Sequence, residues 1–363
     1  MKAKVEATAL RGAVSALKRL GMCGPQESLL LDTPHDGTLV VQASAHHIAA
    51  RINLPAECEE TGQIKVNAAE LSSLLAAFSG DPVDLEVGDR FVGVSSGERT
   101  RGRVRVVEPT SADLWATFDP QEYTTVLEGD FTRALSRVEP FCEKEPTRAT
   151  HSVVVQNSEA AATNGYVLGV FPVEGKVPSP VQIPHPVAQR MAGLEVDRLA
   201  VHQEDGRLAW ITGPDMEVLY AQPAGDFPNY QKVLADREGK ADLVTLSGDL
   251  QEWREAVKRI ARIADPVEFM RVGWEKAVLD MVTFTLCSPS DPEGRLSIRV
   301  DAEIDETEEA EGFSNLAVNP QFFLAVLGVA GAEFRLGLLG KELPIVARFE
   351  ESHRAMLMPI RSA

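Results

Sequence analysis

The chain has 363 residues, with 36 Lys and Arg against 54 Asp and Glu, so its formal net charge at pH 7 is −18. This acidic total excludes a protein that binds nucleic acid over its whole surface, because most of that surface repels phosphate groups. Hydrophobic residues make up 44% of the chain, which is enough for packed cores and excludes a disordered acidic tail protein. At roughly 150 residues per domain, the length predicts two or three domains.

Membrane, secretion and cofactor signals are absent from the sequence. No apolar run approaches the ~20 residues that span a bilayer, and the N-terminal residues lack the apolar core of a secretory signal. We therefore expect a cytoplasmic protein that does not bind membranes. Cysteines occur without the paired spacing of a zinc site or a disulfide framework, so we expect no metal and no other cofactor; they are Cys23, Cys58, Cys142 and Cys287.

An amphipathic helix pattern occurs three times along the chain. Its apolar positions are Leu10, Val14, Leu17 and Leu20, then Phe131, Leu135 and Val138, then Leu250, Trp253, Val257 and Ile260. The first residues of the three patterns lie 121 and then 119 positions apart. Self-similarity of this kind indicates a repeated domain.

A second unit follows each of these helices: a short apolar strand, a polar or proline-containing turn, and another apolar-striped helix. It covers residues 64–75, 181–191 and 316–326, with Val66, Ile183 and Val318 at matching positions. The matching positions are 117 and then 135 apart. The longer spacing coincides with an acidic insertion at 301–311, which we expect to be a solvated loop.

Short segments between the helices alternate apolar and polar residues, as at 83–87, 207–212, 279–286 and 296–300. A period of two with β-branched and aromatic residues is typical of half-buried antiparallel strands. Each repeat is therefore predicted to be an α+β domain in which two helices pack on antiparallel sheets. The predicted domains are 1–121, 122–240 and 241–363.

Four segments resemble those of one protein family. They are Ala-Thr-Asn-Gly-Tyr-Val-Leu at 162–168, Asp-Phe-Pro-Asn-Tyr-Gln-Lys-Val-Leu at 226–234, Val-Asn-Pro-Gln-Phe at 318–322 and Met-Pro-Ile-Arg at 358–361. By the order and spacing of these segments and by its threefold repeat, the chain is identified as a divergent member of the bacterial β sliding clamps, the β subunit of DNA polymerase III.

The resemblance implies three DNA-clamp domains per chain and a head-to-tail homodimer that closes into a six-domain ring, with helices around the hole. It implies a non-catalytic processivity factor that encircles double-stranded DNA without sequence preference and slides on it. Weak phosphate contacts can then exchange rapidly while encirclement prevents escape. The implied partners are the clamp loader, the replicative DNA polymerase and other replication and repair proteins with clamp-binding motifs.

Basic residues on the first helix of each repeat are the predicted DNA contacts. Arg254, Lys258 and Arg262 are spaced four apart, which places them on one helical face. Arg148 lies just before a strand at 152–156. The full predicted set is Arg11, Lys18, Arg19, Arg133, Arg137, Arg148, Arg254, Lys258 and Arg262. The alternative is a set of ordinary solvated helix faces that pair with nearby acids.

A peptide-binding pocket is the second site that the resemblance implies. A linear peptide with hydrophobic anchors needs a preformed apolar cleft and a few polar groups that fix its register. The positions that match the family are Thr163, Gly165, Tyr166, Leu168, Pro228, Lys232, Val233, Asn319, Phe322, Pro344, Met356, Met358, Pro359, Ile360 and Arg361. For Leu168, Val233 and Met356 the alternative is plain core packing.

A dimer interface is predicted at the end of the first domain and in the third. Val104 and Val106 alternate along a candidate edge strand, and Ile260 and Ile263 are their predicted counterparts. Arginines 101, 103 and 105 lie on the other face of that strand. They either pair with an acidic surface of the partner protomer or form a solvated face.

Departures from the family pattern leave a rival function open. The segment at 21–28 replaces an Arg-Pro-containing segment, and Tyr166 replaces a histidine. The rival is a clamp-fold paralogue that serves as a peptide-binding scaffold or protects a target without encircling DNA. An enzyme is disfavoured because the sequence has no nucleophile elbow, phosphate-binding loop or zinc-binding helix. The adjacent His46 and His47 would point to opposite faces of a strand, so we do not expect them to share a metal ion.

Overall fold

The structure is a computed structural model that describes all residues except 25–26, 36, 46, 79–81, 98–99, 108–114, 116–117, 130, 147, 149, 195, 205, 239, 277–279, 311–312, 331–333, 341, 350–352 and 361–363. Within the described residues the chain forms seven helices. They are α1 (Ala7–Arg19), α2 (Ala68–Leu75), α3 (Thr132–Val138), α4 (His185–Met191), α5 (Tyr230–Glu238), α6 (Leu250–Ile263) and α7 (Pro320–Val329).

The same residues form antiparallel sheets. The strands are β1 (Lys2–Glu6), β2 (Ser28–Thr33), β3 (Thr38–Ala45), β4 (Ile48–Glu60), β5 (Gly62–Asn67), β6 (Pro82–Val87), β7 (Phe91–Ser96), β8 (Thr100–Arg105), β9 (Tyr123–Glu128), β10 (Ser152–Thr163), β11 (Val167–Pro184), β12 (Arg198–His202), β13 (Leu208–Thr212), β14 (Met216–Ala221), β15 (Val244–Ser247), β16 (Phe269–Glu275), β17 (Met281–Ser288), β18 (Asp291–Asp301), β19 (Glu303–Glu306), β20 (Asn315–Val318), β21 (Phe334–Leu338), β22 (Ile345–Phe349) and β23 (Arg354–Leu357).

A strand, a helix, two to five strands, a second helix and three strands follow one another three times along the chain. The first repeat runs β1, α1, β2 to β5, α2, β6 to β8, and the third runs β15, α6, β16 to β20, α7, β21 to β23. The middle repeat runs β9, α3, β10, β11, α4, β12 to β14, and α5 follows it. This confirms the predicted α+β class of repeated clamp domains. The boundaries after residues 121 and 240 stay a prediction.

Polar caps fix where several helices begin. Asn67 caps α2, Asp249 caps α6 and Asn319 caps α7, in each case through a side-chain oxygen that accepts a backbone N–H bond from the first turn. Such a cap satisfies a donor that has no partner inside the helix. The turn-then-helix pattern in the sequence therefore has a local cause at each of these helix starts.

The apolar stripes of the first helices are buried, as predicted. Leu10, Val14 and Leu17 of α1 are fully enclosed. In α6, the ring of Trp253 meets those of Phe284 and Phe334 edge-on, with centroids 5.2 and 4.9 Å apart. Edge-to-face aromatic packing of this kind adds to the stabilisation from burial alone.

The chain divides into two compact units, Met1–Thr132 with Glu174–Pro223, and Arg133–Val173 with Ala224–Ala363. The first unit contains a sheet of order β8-β7-β6-β1-β4-β14-β13-β12-β9. In the same sheet β3 pairs with β4 and with β2, and β2 also pairs with β5. The second contains sheets of order β10-β11-β23-β22-β21-β15-β19 and β18-β17-β16-β20. Since β14 pairs with β4 and β11 with β23, the middle repeat is shared between the two units.

The acidic segment at 301–311 is not a solvated loop, so that prediction is wrong for its described part. Residues Glu303–Glu306 form β19, which pairs with β15, and a 3-10 turn follows at Glu308–Ala310. The reason is alternation: Ile304 is buried between exposed Glu303 and Asp305. Helix α5 is likewise not predicted from the sequence, although its Tyr230 and Leu234 are buried one turn apart.

Two further properties concern only the described part of the chain. None of its helices is long and apolar enough to cross a membrane. None of its His, Cys, Asp and Glu side chains form a group of three or more that would suit a metal ion.

Candidate functional site

The predicted pocket residues lie in the second unit, and a tight turn between β10 and β11 presents the most exposed of them. The Thr163 hydroxyl donates to the carbonyl of Val167 (2.6 Å) and accepts from the N–H of Gly165 (3.0 Å). The Asn164 side chain accepts from the N–H groups of Tyr166 and Val167 at 2.9 and 3.0 Å. Gly165 has φ +88, which favours glycine. This rigid turn holds the Tyr166 side chain 61% exposed.

Tyr166 stacks on Phe322, and the C-terminal segment passes beside them. The two rings have centroids 5.6 Å apart and planes 17° apart. The carbonyl of Tyr166 accepts a hydrogen bond from the N–H of Met358 at 2.8 Å. The Asn319 side chain accepts from the N–H of Phe322 at 3.3 Å and so fixes that residue in the first turn of α7. Three distant segments thereby form one apolar surface.

Buried residues form the base of this surface. Leu168 and Met356 are opposite each other on β11 and β23. Both belong to a core cluster that includes Val154, Ala161, Val170, Tyr230, Leu234 and Val346. The core-packing alternative is therefore correct for these two side chains, which support the surface from below and are not exposed themselves.

Three of the predicted pocket residues lie on or just before helix α5. Pro228 precedes it, and the Asn229 side chain accepts from the N–H of Lys232 at 3.1 Å. Lys232 and Val233 are exposed. The core-packing alternative therefore does not hold for Val233.

An ion pair and a tyrosine hold α5 against the sheet. Glu159 accepts from Arg354 Nη2 at 2.6 Å and from Tyr230 Oη at 3.2 Å. Burial raises the pKa of Tyr230 to about 12, so the phenol stays a donor at neutral pH. The position of the helix beside the pocket is thus set by polar as well as apolar contacts.

Of the rest of the predicted set, Pro344 immediately precedes β22, and the other residues follow the C-terminal strand β23. Pro344 is half-buried, Pro359 is buried and Ile360 is exposed, with its N–H donating to the carbonyl of Ala317 at 2.8 Å. Arg361 lies outside the described residues. Eight large hydrophobic side chains are exposed among the described residues, and four of them belong to the predicted pocket: Tyr166, Val233, Met358 and Ile360.

A cleft of about 640 Å³ opens beside Asn319 and Ile360. Its other apolar lining includes Val267, Phe269 and Leu316, which sequence reasoning did not select. The signal was present, because Val267 is an apolar residue in a short polar loop. The second unit therefore has more apolar binding surface than the family segments indicate.

In the first unit, the predicted DNA contacts of α1 differ in their surroundings. The Arg11 guanidinium donates to the carbonyl of Phe78, just after α2, whereas Lys18 and Arg19 are exposed in the last turn of α1. Helix α1 packs against α4, which has Arg190 in its own last turn. Burial lowers the pKa of Arg190, and the nearby Arg19 charge lowers it further. Arg190 is a basic residue that the sequence prediction missed.

In the second unit, two predicted DNA contacts bind the C-terminal end of α7. Arg254 donates to three carbonyls and Arg137 donates to two, one of which they share. The acceptors of Arg254 are Leu327 (2.7 Å), Gly328 (3.2 Å) and Ala330 (2.9 Å), and those of Arg137 are Val329 and Ala330 (3.2 Å). Burial lowers the pKa of Arg254, and the Arg137 charge lowers it further.

These contacts differ from the alternative of ordinary solvated helix faces that pair with nearby acids. The last carbonyls of a helix have no partner inside it and carry partial negative charge, so they attract guanidinium groups. Arg137 and Arg254 have such acceptors, whereas the acceptor of Arg11 lies three residues after the end of α2. Whether they also contact DNA stays a prediction.

The remaining predicted cations are exposed in their units. Arg133 is exposed, with its guanidinium carbon 5.7 Å from the centroid of the Phe171 ring. Lys258 pairs with Glu255 at 3.1 Å. Arg262 is exposed in the last turn of α6. Arg148 pairs at 3.6 Å with both Glu143 and Glu145, so the alternative of local acid pairing holds for Lys258 and Arg148.

A buried histidine lies near the α3 arginines. His353 is enclosed beside the rings of Phe171 and Phe349, with centroids 5.1 and 4.6 Å away. Burial, and then the charges of Arg137 and Arg133, lower the pKa of His353 to about 3. The ring is therefore neutral at physiological pH and adds no charge to this surface.

The predicted dimer residues fall into two groups. Val104 and Ile260 are fully buried in the cores of their own units. For these two side chains the prediction is wrong, because a buried side chain has no surface to offer a partner. Val106 is half-buried and bridges to Val66, whereas Ile263 is 45% exposed. β8 is the last strand in its sheet order, as an edge strand requires.

Comparison with known proteins covers the whole chain. The beta sliding clamp of Streptomyces coelicolor is 24% identical over 391 aligned positions, which cover 99% of this chain and 99% of that protein. The DNA polymerase III subunit beta of Pseudomonas aeruginosa has a similar fold, with a TM-score of 0.77, 18% identity and full coverage of both chains. No protein-family model matches the sequence.

A further solved relative carries a ligand. The Helicobacter pylori beta clamp, solved bound to a DNA ligase peptide, has a TM-score of 0.74 and 17% identity, over 99% of this chain and 100% of that one. The fold, the repeated element order and the full-length sequence match agree with the four segments that first indicated the family. Over its whole length the chain is similar in sequence to a bacterial β sliding clamp, and it has the fold of the β subunits of DNA polymerase III.

Proposed function

We propose that this protein is a non-catalytic DNA sliding clamp that encircles duplex DNA as a head-to-tail homodimer and tethers replication and repair proteins to it. The main support is one element order repeated three times over a chain that resembles β clamps from end to end. Repetition suits a closed ring, because similar junctions can recur around it. In this proposal the three domains are 1–121, 122–240 and 241–363, and the protein acts in the cytoplasm on nucleoid DNA.

The apolar surface around Tyr166 supports the capture of linear peptides. Tyr166, Phe322 and Met358 offer aromatic and thioether groups on a rigid base, and methionine repacks readily around different side chains. The turn at 163–167 is already ordered, so a peptide loses little affinity to ordering the protein. The proposed partners are the replicative polymerase, the clamp loader and other proteins with short clamp-binding motifs.

Calorimetry with a synthetic peptide from the clamp-binding segment of the host polymerase tests this pocket. We expect Tyr166→Ala and Met358→Ala each to weaken binding about tenfold, as the loss of an aromatic or apolar anchor does. Phe91→Ala is the matched control, since Phe91 is another exposed large side chain but lies in the other unit. Equal affinities for all three variants would contradict the site.

Exposed cations on the first helices support DNA binding despite the net charge of −18. Lys18, Arg19, Arg133 and Arg262 are all exposed on α1, α3 and α6. Arg19 and Arg262 occupy matching positions, each thirteen residues after the N-cap of its helix. An acidic exterior with local cationic helices would confine DNA to the surface that carries those helices.

Loading onto a nicked circular plasmid by the host clamp loader tests encirclement. The protein should remain on the circle and leave once the DNA is cut, because a ring slides off free ends. Replacing Arg19 and Arg262 by Ala should reduce loading and make it less dependent on salt, by about 0.9 in the log–log slope for each phosphate that is no longer neutralised. Arg148→Ala, which removes an arginine already paired with acids, should change the slope less.

The rival scaffold function gives a different result in the same assay. A clamp-fold scaffold would bind the peptide but would not be retained on the circle. Retention that survives linearisation without end blocks would also contradict a sliding ring.

Charged strand edges support the homodimer. Arg101 and Arg103 are exposed on β8, and Asp301, Glu303 and Asp305 are exposed on β18 and β19. All three strands end their sheet orders among the described residues, and an unpaired edge favours pairing with another chain. A basic edge that meets an acidic edge of a second copy would form a head-to-tail junction whose strength falls with salt.

A further inference from the structure

In the first and third repeats, an arginine of the first helix donates to a backbone carbonyl just after the second helix. Arg11 of α1 and Arg254 of α6 are both the fifth residue after their helix N-cap. Their acceptors Phe78 and Ala330 are both the eleventh residue after the N-caps of α2 and α7. The same contact thus recurs at matching positions, which fixes the correspondence between the helix pairs.

The end of α7 also receives a second arginine, from a different repeat. Arg137 of α3 donates to the carbonyls of Val329 and Ala330. By the correspondence above, the matching carbonyls at the end of α2 are those of Ala77 and Phe78. Within the described part of the chain Phe78 accepts from Arg11 and no donor reaches the carbonyl of Ala77. The end of α2 therefore has one arginine where the end of α7 has two.

Helix α3 approaches the end of α7 with a defined face. Arg133, Ser136, Arg137 and Pro140 line a cleft of about 360 Å³ together with Ala325, Gly328 and Val329. The buried stripe of α3 and its 3-10 extension matches that of α6 at a shift of 119 positions. The matched buried residues are Phe131 and Leu250, Ala134 and Trp253, Val138 and Val257, and Phe141 and Ile260.

The same shift gives the matching face of α6, which is Glu252, Glu255, Ala256 and Arg259. Arg259 is the basic member of this face and is exposed. It forms no hydrogen bond or ion pair with any residue in the described ranges. One turn further on, Ile263 is exposed as well. Among the described residues, this face of α6 is buried at Ala256 and exposed at Glu252, Glu255 and Arg259.

In α1 the corresponding positions are covered. Counted from the N-caps, Ala16 and Leu20 match Arg259 and Ile263. Ala16 and Leu20 are buried, and α1 packs against α4. These two positions are thus buried in α1, and the α3 face lines a cleft with the end of α7, whereas Arg259 and Ile263 of α6 are exposed.

We propose that this face of α6 packs on the end of α2 of a second copy, where Arg259 donates hydrogen bonds to the carbonyls of Ala77 and Phe78. Arg259 would supply to the end of α2 the arginine that Arg137 supplies to the end of α7, from one turn beyond Ala256, the residue that matches Arg137 at the shift of 119. The proposal rests on the head-to-tail homodimer of the proposed function. The chemistry suits it, because the end of a helix carries partial negative charge and the alanines at 76 and 77 leave room for a guanidinium group.

Sedimentation of the DNA-free protein over a range of concentrations tests the contact. Arg259→Ala should raise the dimer dissociation constant at least tenfold, since the variant cannot form hydrogen bonds from a charged donor. Arg259→Lys should restore part of the affinity, because the charge remains but the paired donors do not. Arg262→Ala is the matched control from the same helix and should change the constant less than threefold.

A cysteine pair tests the geometry independently of affinity. With Ala77→Cys and Arg259→Cys in one chain, mild oxidation should give a covalent dimer on a non-reducing gel, and the native chain with its own four cysteines should not. Ala77→Cys with Arg262→Cys should cross-link much less.

The outcomes separate this contact from the dimer itself. If the native chain stays monomeric at all concentrations, both the proposed dimer and this contact are wrong. If the native chain and Arg259→Ala dimerise equally and the 77–259 pair does not cross-link, the dimer stands and the Arg259 contact is overturned. Weakened dimerisation together with a 77–259 cross-link supports it.

Discussion

Arg237 should be among the most costly residues of the second unit to replace. Its side chain is 3% exposed and donates to Asp242 Oδ1 at 2.5 Å. Three backbone carbonyls accept its other hydrogen bonds, those of Pro344 (3.1 Å), Gly337 (3.1 Å) and Lys240 (3.4 Å). Arg237→Met removes a buried charge and leaves these acceptors unsatisfied. We expect a loss of about 3–5 kcal/mol in the free energy of unfolding.

The second arginine that pairs with Asp242 provides the control. Arg348 also pairs with Asp242, at 2.6 Å, but its side chain is 41% exposed. Arg348→Met should therefore cost no more than about 1 kcal/mol. Because both variants remove an arginine from one aspartate, the difference between them isolates burial and the carbonyl contacts.

Urea unfolding followed by tryptophan fluorescence measures both changes. Trp253 and Trp274 report on the second unit, so Trp115 and Trp210 of the first unit are replaced by Phe in the parent and in both variants. With a slope of about 3 kcal/mol per molar urea, the midpoint for Arg237→Met should fall by about 1–1.7 M. Equal midpoints for Arg237→Met and Arg348→Met would refute the reasoning.

Two further predictions concern stability. The pKa of His353 is lowered from 6.5 to about 3, so between these pH values the unfolded chain binds a proton there that the folded chain does not. The free energy of unfolding therefore keeps the full contribution of the neutral His353 above pH 6.5. Below pH 6.5 it falls by about 1.4 kcal/mol per pH unit as the pH drops towards 3. His353→Phe should reduce the difference between urea midpoints at pH 7 and pH 5, and an unchanged difference would contradict this. Gly12→Ala should raise the melting temperature, because an added Cβ in α1 meets open space and alanine favours the helix by about 0.5–1 kcal/mol. Gly169→Ala should lower the melting temperature, because its Cβ would clash with the Phe141 ring, and a rise would contradict the close packing of that ring on Gly169.

The predictable part of the fold is the part that depends on local periodicity. The stripe at Trp253, Val257 and Ile260 is a property of one helix, so it could be read before any neighbour was known. The alternation around Ile304 was equally local, but the dense negative charge concealed it. Periodicity describes an element and one of its faces, and it does not describe what lies against the other faces.

The predicted site shows the same division. The exposure of Tyr166 and Met358 agrees with a pocket surface, and the family segments named both. The sequence could not show that Arg137 and Arg254 share the end of α7, because that contact joins segments nearly 200 residues apart. A basic helical face looks the same in sequence whether it is solvated or bound to carbonyl groups.

The division of the chain into units has a consequence for synthesis on the ribosome. The first unit consists of Met1–Thr132 and Glu174–Pro223, so about forty residues of the second unit are made before the first can be completed. Until β14 emerges, β4 lacks the neighbour that continues its sheet. Domains of most proteins fold in turn as they are translated, but here the first unit must wait for residue 223, with an unpaired strand edge exposed to aggregation during the delay.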